Sequence, residues 1–224
     1  MFRALKKYSN ITFLPNYELR NAIAACSSEI SGVVLDIGCG AKPYEDLFKC
    51  DAYIGLDTKN SGHNHLSSKV DVYYDGDKIP FPDEYFDGIL AFQVLEHVKD
   101  IESMFSEIRR VLKKSGKLLI TAPLIWPEHE VPYDFCRWTS FGISNLLENN
   151  LFEIMQQEKV GSTHSVIAAL FLNSFGGKIN PISKILVRLL SLAVNALVLI
   201  ISHFTVSNPK SRETYFDNIV LVRK

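Results

Sequence analysis

The 224 residues carry 24 Lys and Arg against 25 Asp and Glu, a net charge of −1, which excludes a polycation built for nucleic acid. Hydrophobic residues make up 47% and charged residues 22%, a mix too apolar and too evenly charged for wholesale disorder. The length suits a single domain over 1–224 with a real core.

Taken in chain order, residues 1–31 read as an N-terminal helical segment, with helical spacing of apolar positions over 17–31. Arg3, Lys6 and Lys7 open the chain, but no apolar stretch follows them, so no secretion signal is expected. GVVLDIG is a short β-branched run ending in glycine, a buried strand. Further strands are expected at 52–57 and 70–74, and then at 86–92. A helix over 100–113 follows, with Ile101, Met104, Phe105, Ile108, Val111 and Leu112 on one apolar stripe. Asp100 can cap its start, and Gly116 follows its end. KLLITAP is a fifth strand, stopped by Pro123. A helix capped by Thr139 runs over 139–149, and strands six and seven are expected at 151–161 and 215–224. Strands alternating with helices imply right-handed crossovers and a mostly parallel, doubly wound α/β sheet. In such sheets ligands bind at the carboxyl ends of the strands.

Cys26, Cys39, Cys50 and Cys136 form no C-x-x-C, and no His pair lies nearby at zinc spacing, so no metal site is expected. His63 and His65 make an H-x-H without a third ligand in view. Scattered cysteines without a signal read as reduced thiols, and a cytoplasmic location is expected.

The strongest local signal is Asp36-Ile37-Gly38-Cys39-Gly40, directly after the first strand. Two glycines there let the backbone turn tightly and approach a ligand. Asp57 ends the second strand, where a carboxylate accepts ribose hydroxyls in dinucleotide-type folds. Taken alone, these residues also fit a plain glycine turn with a solvated acid. The longer phrases are more specific. VLDIGCGAKPY, GLD and YYDGDKIPFPDEYFDGILAFQVLEHV resemble the class I S-adenosylmethionine-dependent methyltransferases, in particular the small-molecule branch with the LPFPD…LEH pattern. The resemblance is close over 32–123 and looser over 124–161 and 214–224.

It implies a Rossmann-like sheet of seven strands in the order 3-2-1-4-5-7-6, the last antiparallel, with S-adenosyl-L-methionine as cofactor. Asp36 would hold the methionine amino group, Gly38 and Gly40 would line the cofactor, and Asp57 would bind its ribose. Asp75 and Gly76 would meet the adenine edge; Phe92 and Gln93 would face the sulfonium side. Lys42-Pro43-Tyr44 departs from the usual small residues after the glycines, and Tyr74-Asp75-Gly76 replaces the commoner Ala-Asp-Ala.

The loop after the fifth strand holds Trp126, His129, Glu130, Tyr133, Asp134, Arg137 and Trp138. His129 is the first choice for a general base, with Glu130 and Asp134 as alternatives. Arg137 could bind an anionic acceptor, with Tyr133 and Trp126 beside it; equally, Asp134 and Arg137 could pair to brace the loop. Glu96-His97 sits among Val94, Leu95 and Val98 and reads as a structural connection, and Cys39 as a packed residue.

The late segment is unusual. No acidic residue occurs over 1–17 or 159–212, although these stretches hold nine basic ones. Residues 162–213 form an apolar helical insertion between strands six and seven. Within 182–206, Lys184, Arg188, Ser191, Asn195 and Ser202 recur at helical steps as one polar stripe. Three readings stay open: a helix in a membrane interface, at the inner face of the membrane; a homodimer or partner surface; or core of an enlarged domain.

The expected function is methyl transfer, foremost to oxygen, on a small or lipid-linked acceptor such as a cell-surface glycan precursor. A nicotinamide oxidoreductase should show a third glycine, but Ala41, Lys42 and Pro43 follow Gly40. A non-catalytic scaffold keeping the cofactor fold is the remaining rival. Nucleic acid is not an expected partner, since no N/D-P-P-Y/F tetrapeptide is present.

Overall fold

In a computed structural model of the chain, the described residues are 8–59, 69–177, 180–205 and 209–224; His63 and His65 lie outside them. The chain divides into two compact units, one of Ala22–Glu158 with Asp217–Lys224, the other of Met1–Asn21 with Lys159–Phe216.

The first unit is built on a sheet. Its strands are β1 (Val33–Ile37), β2 (Ala52–Thr58), β3 (Val72–Tyr74), β4 (Phe86–Phe92), β5 (Leu112–Pro123), β6 (Glu153–Val160) and β7 (Asp217–Arg223). Their order is β3-β2-β1-β4-β5-β7-β6, as the family resemblance implies. The first five pair in parallel and β7 runs antiparallel to β5. Such a sheet, covered on both faces, requires continuous apolar strands, and Phe86, Ile89, Leu90 and Ala91 of β4 are each fully buried.

Helix α1 (Phe13–Cys26) precedes β1; α2 (Ile101–Val111) and α3 (Ser140–Asn149) flank β5. Asp100 caps α2 by accepting the Ser103 N–H at 3.0 Å, and Thr139 caps α3 by accepting the Gly142 N–H at 3.0 Å. The expected stripe on α2 buries Met104, Phe105, Ile108 and Val111 against Leu35, Ile37, Ile89 and Leu118. Each such side chain contributes roughly 1.5–3 kcal/mol by leaving water. One boundary differs from expectation. The helix ends at Val111 rather than beyond Lys113, because Leu112 is already extended and pairs with Phe86. Residues 113–116 then bulge before Lys117 pairs with Gly88. Gly116 belongs to this bulge rather than to a helix cap: a Cβ there would lie 2.5 Å from Leu112 Cδ1.

The second unit holds α4 (Thr163–Asn173) and the long α5 (Pro181–Thr205). Ser162 caps α4 through the Ser165 N–H at 3.2 Å. Val198 of α5 packs with Phe13, Leu14 and Ala168. The polar stripe expected on α5 splits. Ser191 and Asn195 are fully buried, and Asn195 Nδ2 donates to the carbonyls of Tyr8 and Asn10 at 2.8 and 3.1 Å. Lys184 and Arg188 are exposed. The apolar face points outward instead: Ile182 is 74% exposed, Leu186 61%, Leu189 60% and Phe204 81%.

Candidate active site

A cavity of about 720 Å³ opens at the carboxyl ends of β1 to β4, within the sheet-bearing unit. That size lies within the roughly 300–1,000 Å³ typical of pockets for drug-sized ligands. Gly38 lines it from β1, Asp57 and Thr58 from β2, Tyr74 to Asp77 from β3, and Gln93 to Asp100 in part from beyond β4.

The glycine turn is held by the neighbouring strand. Gly38 and Cys39 N–H both donate to the Leu56 carbonyl, at 2.8 and 3.2 Å. Gly38 has φ +66°, and a Cβ there would stand 2.6 Å from Val94 Cγ2, so the turn needs glycine on two counts. At Gly40, with φ +46°, a Cβ would meet nothing within 4 Å. The Gly40 N–H donates to Asp57 Oδ2 at 3.0 Å and the Thr58 N–H to Oδ1 at 2.7 Å. Asp57 is thus locked in place at the cavity wall while each carboxylate oxygen keeps a lone pair for a further donor.

Asp36 is placed differently. It is not among the lining residues. Its Oδ2 accepts the Tyr53 hydroxyl at 2.7 Å, and burial pushes its pKa up to about 7 despite that bond. Phe92 also stays out of the cavity, meeting Tyr44 edge-on at 5.3 Å and stacking on Phe48 at 6.1 Å. The departure at Lys42-Pro43-Tyr44 explains this packing. Tyr44 covers Phe92, while Lys42, buried, pairs with Asp71, which also accepts the Gly55 N–H at 2.6 Å.

Asp75 and Gly76 line the cavity at the end of β3, with Asp77 N–H donating to Asp75 Oδ1 at 3.2 Å and Gly76 at φ +99°. Gln93 lines it too, in the left-handed region at φ +57°. That strained backbone is held by the Gln93 N–H to the Thr121 carbonyl at 3.1 Å, and by Nε2 to Thr121 Oγ1 and Asp217 Oδ1, both at 3.1 Å. Burial pushes Asp217 up to about 7 against this bond.

The loop after β5 supplies Glu130 to the cavity directly. Asp134 and Arg137 form a two-pronged pair, and Arg137 donates further to the carbonyls of Trp126, Pro127 and Cys136. All its donors are taken up inside the loop, the bracing arrangement. The Arg137 guanidinium holds the Asp134 carboxyl well below the usual carboxylate range. Asp134 in turn accepts the His129 N–H at 3.0 Å and stands 3.2 Å from His129 Nδ1, so it orients that imidazole rather than competing for its role. Tyr133 presents its carbonyl to His97 Nδ1 at 2.7 Å.

His97, which the sequence suggests as part of a structural connection, stands at the site. It lines the cavity, and its ring meets that of His129 edge-on at 4.9 Å. The signal was its place five residues past the end of β4, at the ligand-binding edge of the sheet. Val98, Lys99 and Ser103 join it on the same wall. Cys39 is the packed residue expected, its thiol pushed up to about 12 by burial and by Asp36 and Asp57.

Residues 35–120 match the family described as a methyltransferase domain. The matched residues lie on the fold seen in S-adenosylmethionine-dependent methyltransferases. A sterol 24-C-methyltransferase of Gibberella zeae is 35% identical to this domain over 100 residues, 37% of this chain and 25% of that one. A fatty-acid O-methyltransferase of Mycolicibacterium smegmatis is 28% identical over 119 residues, 48% of this chain and 43% of that one. The matches span from 25% to 61% of the curated relatives' own lengths. A methyltransferase structure from Archaeoglobus fulgidus superposes with a TM-score of 0.54 at 18% identity, over 92% of this chain and 94% of that one, which shows the shared fold. The cavity's chemistry suits a nucleoside: the locked Asp57 carboxylate keeps acceptor capacity for hydroxyls, and the turn at Gly38 leaves its backbone open beside it.

Proposed function

We propose that the protein is a cytoplasmic methyltransferase acting on oxygen of a small or lipid-linked acceptor, with a cell-surface glycan precursor as the favoured class. The observation that carries this reading is the placement of Asp57, Gly38, His97 and Glu130 around one cavity, with the His129 ring against His97 at 4.9 Å. S-adenosylmethionine supplies an activated methyl group on a sulfonium, so the chain's own residues need only bind, orient and exclude water. Asp57, held by the Gly40 N–H, accepts the ribose hydroxyls, and Gly38 keeps backbone close to the ligand. Asp75 and Gly76 border the adenine. Gln93 fixes the cavity floor at the end of β4. Asp36, bonded to Tyr53, acts behind the turn, supporting it rather than meeting the ligand face to face.

On the acceptor side, His129 Nδ1 is engaged by Asp134, which leaves Nε2 as the basic atom for a hydroxyl proton. Glu130 reaches the same cavity and serves as its partner in placing the acceptor. Tyr133 and Trp126 shape the loop through their carbonyls. The exposed apolar face of α5, flanked by Lys184 and Arg188, supports contact with an anionic membrane surface. The sterol and fatty-acid names among the relatives favour an apolar acceptor as well. A homodimer across the same face is the second reading, and the helix's outward leucines favour it equally on area alone.

Calorimetry with S-adenosylmethionine tests the central claim. The chain should bind it, and Asp57→Ala should bind it about 10–100-fold more weakly, the loss of a charged hydrogen-bond acceptor. Equal affinity of the two proteins would refute the assigned cofactor cradle.

A further inference from the structure

Glu96 is fully buried, yet neither of its carboxylate oxygens has a hydrogen-bond partner. A buried acid in that state calls for a missing partner, such as an ion. Its neighbours are suited to share one. Glu96, His97 and His129 each offer one donor atom, all within 4.8 Å of one another. His97 Nε2 is itself buried without a hydrogen-bond partner, 3.8 Å from Glu96 Oε1 and 3.7 Å from Glu130 Oε1.

Both imidazoles are oriented from behind. His97 Nδ1 is bonded to the Tyr133 carbonyl at 2.7 Å, which makes Nδ1 the protonated nitrogen and leaves the Nε2 lone pair pointing away. His129 Nδ1 lies 3.2 Å from Asp134 Oδ2 and 3.3 Å from the Pro127 carbonyl, which does the same for that ring. A carbonyl or carboxylate behind each histidine is the usual outer support of metal-bound imidazoles.

We propose that Glu96, His97 and His129 form a binding site for one divalent transition-metal ion at the wall of the cavity, with Glu130 completing it. Two imidazoles and a carboxylate are the donor set of zinc, manganese and ferrous sites. Donor atoms about 2.1 Å from a shared ion stand roughly 3–4 Å apart, so the cluster closes by about 1 Å on binding. His129 sits on a partly exposed loop, with 29% of its side chain accessible, and can make that move. His97 and Glu130 line the cavity, so an open coordination position would face it. With the ion bound, the His129 Nε2 lone pair is committed to it, and the ion takes the place of that nitrogen as the group that would make an acceptor hydroxyl on the open position more acidic. The site stands on its own geometry, whatever the acceptor proves to be.

The test uses the full chain, stripped with chelator and titrated with Co²⁺, then with Zn²⁺ in competition. One ion per chain should bind, with visible Co²⁺ bands that Zn²⁺ abolishes. Glu96→Gln and His129→Ala should each weaken binding at least tenfold, while His203→Ala, on the exposed end of α5, should leave it unchanged. Circular dichroism of each variant checks folding. A measurement on the unaltered chain keeps the idea exposed if Glu96→Gln fails to fold: saturating Zn²⁺ should shift the ring-nitrogen resonances of two of the six histidines. No stoichiometric ion, or a bound ion that leaves those resonances in place, would overturn the site. Affinity for S-adenosylmethionine, measured in the same stripped protein, reports separately on the cofactor cradle.

Discussion

At the scale of single residues, the site depends on backbone conformations that few side chains tolerate. Gly38 combines a left-handed φ with a neighbour that would collide with any Cβ. Gly38→Ala should therefore lose about 1–3 kcal/mol of stability, read from denaturant midpoints, and should weaken cofactor binding in parallel. Gln93 reaches a similar backbone region without being glycine, at φ +57°. Its amide bonds to Thr121 and Asp217 hold it there, a demand that no local sequence pattern announces. Spacing marked the glycines and Asp57 as a tight turn and a strand-end acid, and the longer family phrases gave them a ligand. The destination of the Asp36 side chain could not. It depends on Tyr53, a residue one strand away whose hydroxyl claims the carboxylate. Likewise Arg137 fits either an anion binder or a loop brace by sequence, and its donors, spent on Asp134 and three carbonyls, put it in the brace.

At the scale of elements, the alternation of short apolar runs with helices was enough for a mostly parallel, doubly wound sheet, while the strand order came with the family resemblance. The end of α2 was less legible. A glycine near a helix end suggests a cap, whereas here Leu112 gains more by joining β5 opposite Phe86. Helix α5 shows the limit of periodicity: spacing revealed a polar stripe but not which side of it faced the protein. Buried Asn195 settles this by bonding to the carbonyls of Tyr8 and Asn10, which turns the leucines outward. At about 1.5 Å per residue, this 25-residue helix is some 37 Å long. Flotation with vesicles containing anionic lipid should carry the intact chain upward. Leu186→Ser with Leu189→Ser should reduce the floated fraction several-fold, and adding salt should reduce it further. Sedimentation of the same two proteins reads the rival: a dimer that the double substitution dissociates, with no flotation of either, would assign the face to self-association.

At the scale of the whole molecule, buried acids set the response to pH. Asp36 and Asp217 are both raised to about 7, above the usual carboxylate value in an unfolded chain. The folded state therefore holds protons that the unfolded state has released. Their contribution to stability is complete below about pH 4 and is lost as pH rises towards and through about 7. Thermal midpoints should fall between pH 5 and pH 8, and the fall should be smaller in Asp217→Asn, which keeps the shape without the charge. A midpoint that rises over that interval would show that neither acid is protonated in the native protein.

The cysteines offer a clock for motions of the binding turn. Cys39 is buried between the two glycines, while Cys50 and Cys136 are partly accessible and all four thiols are free. An alkylating reagent should therefore mark Cys50 and Cys136 early and reach Cys39 only when the turn lifts away from Leu56. Timed mass spectrometry of that one peptide would give the opening rate of the cradle, and an occupant resting on the turn should slow it.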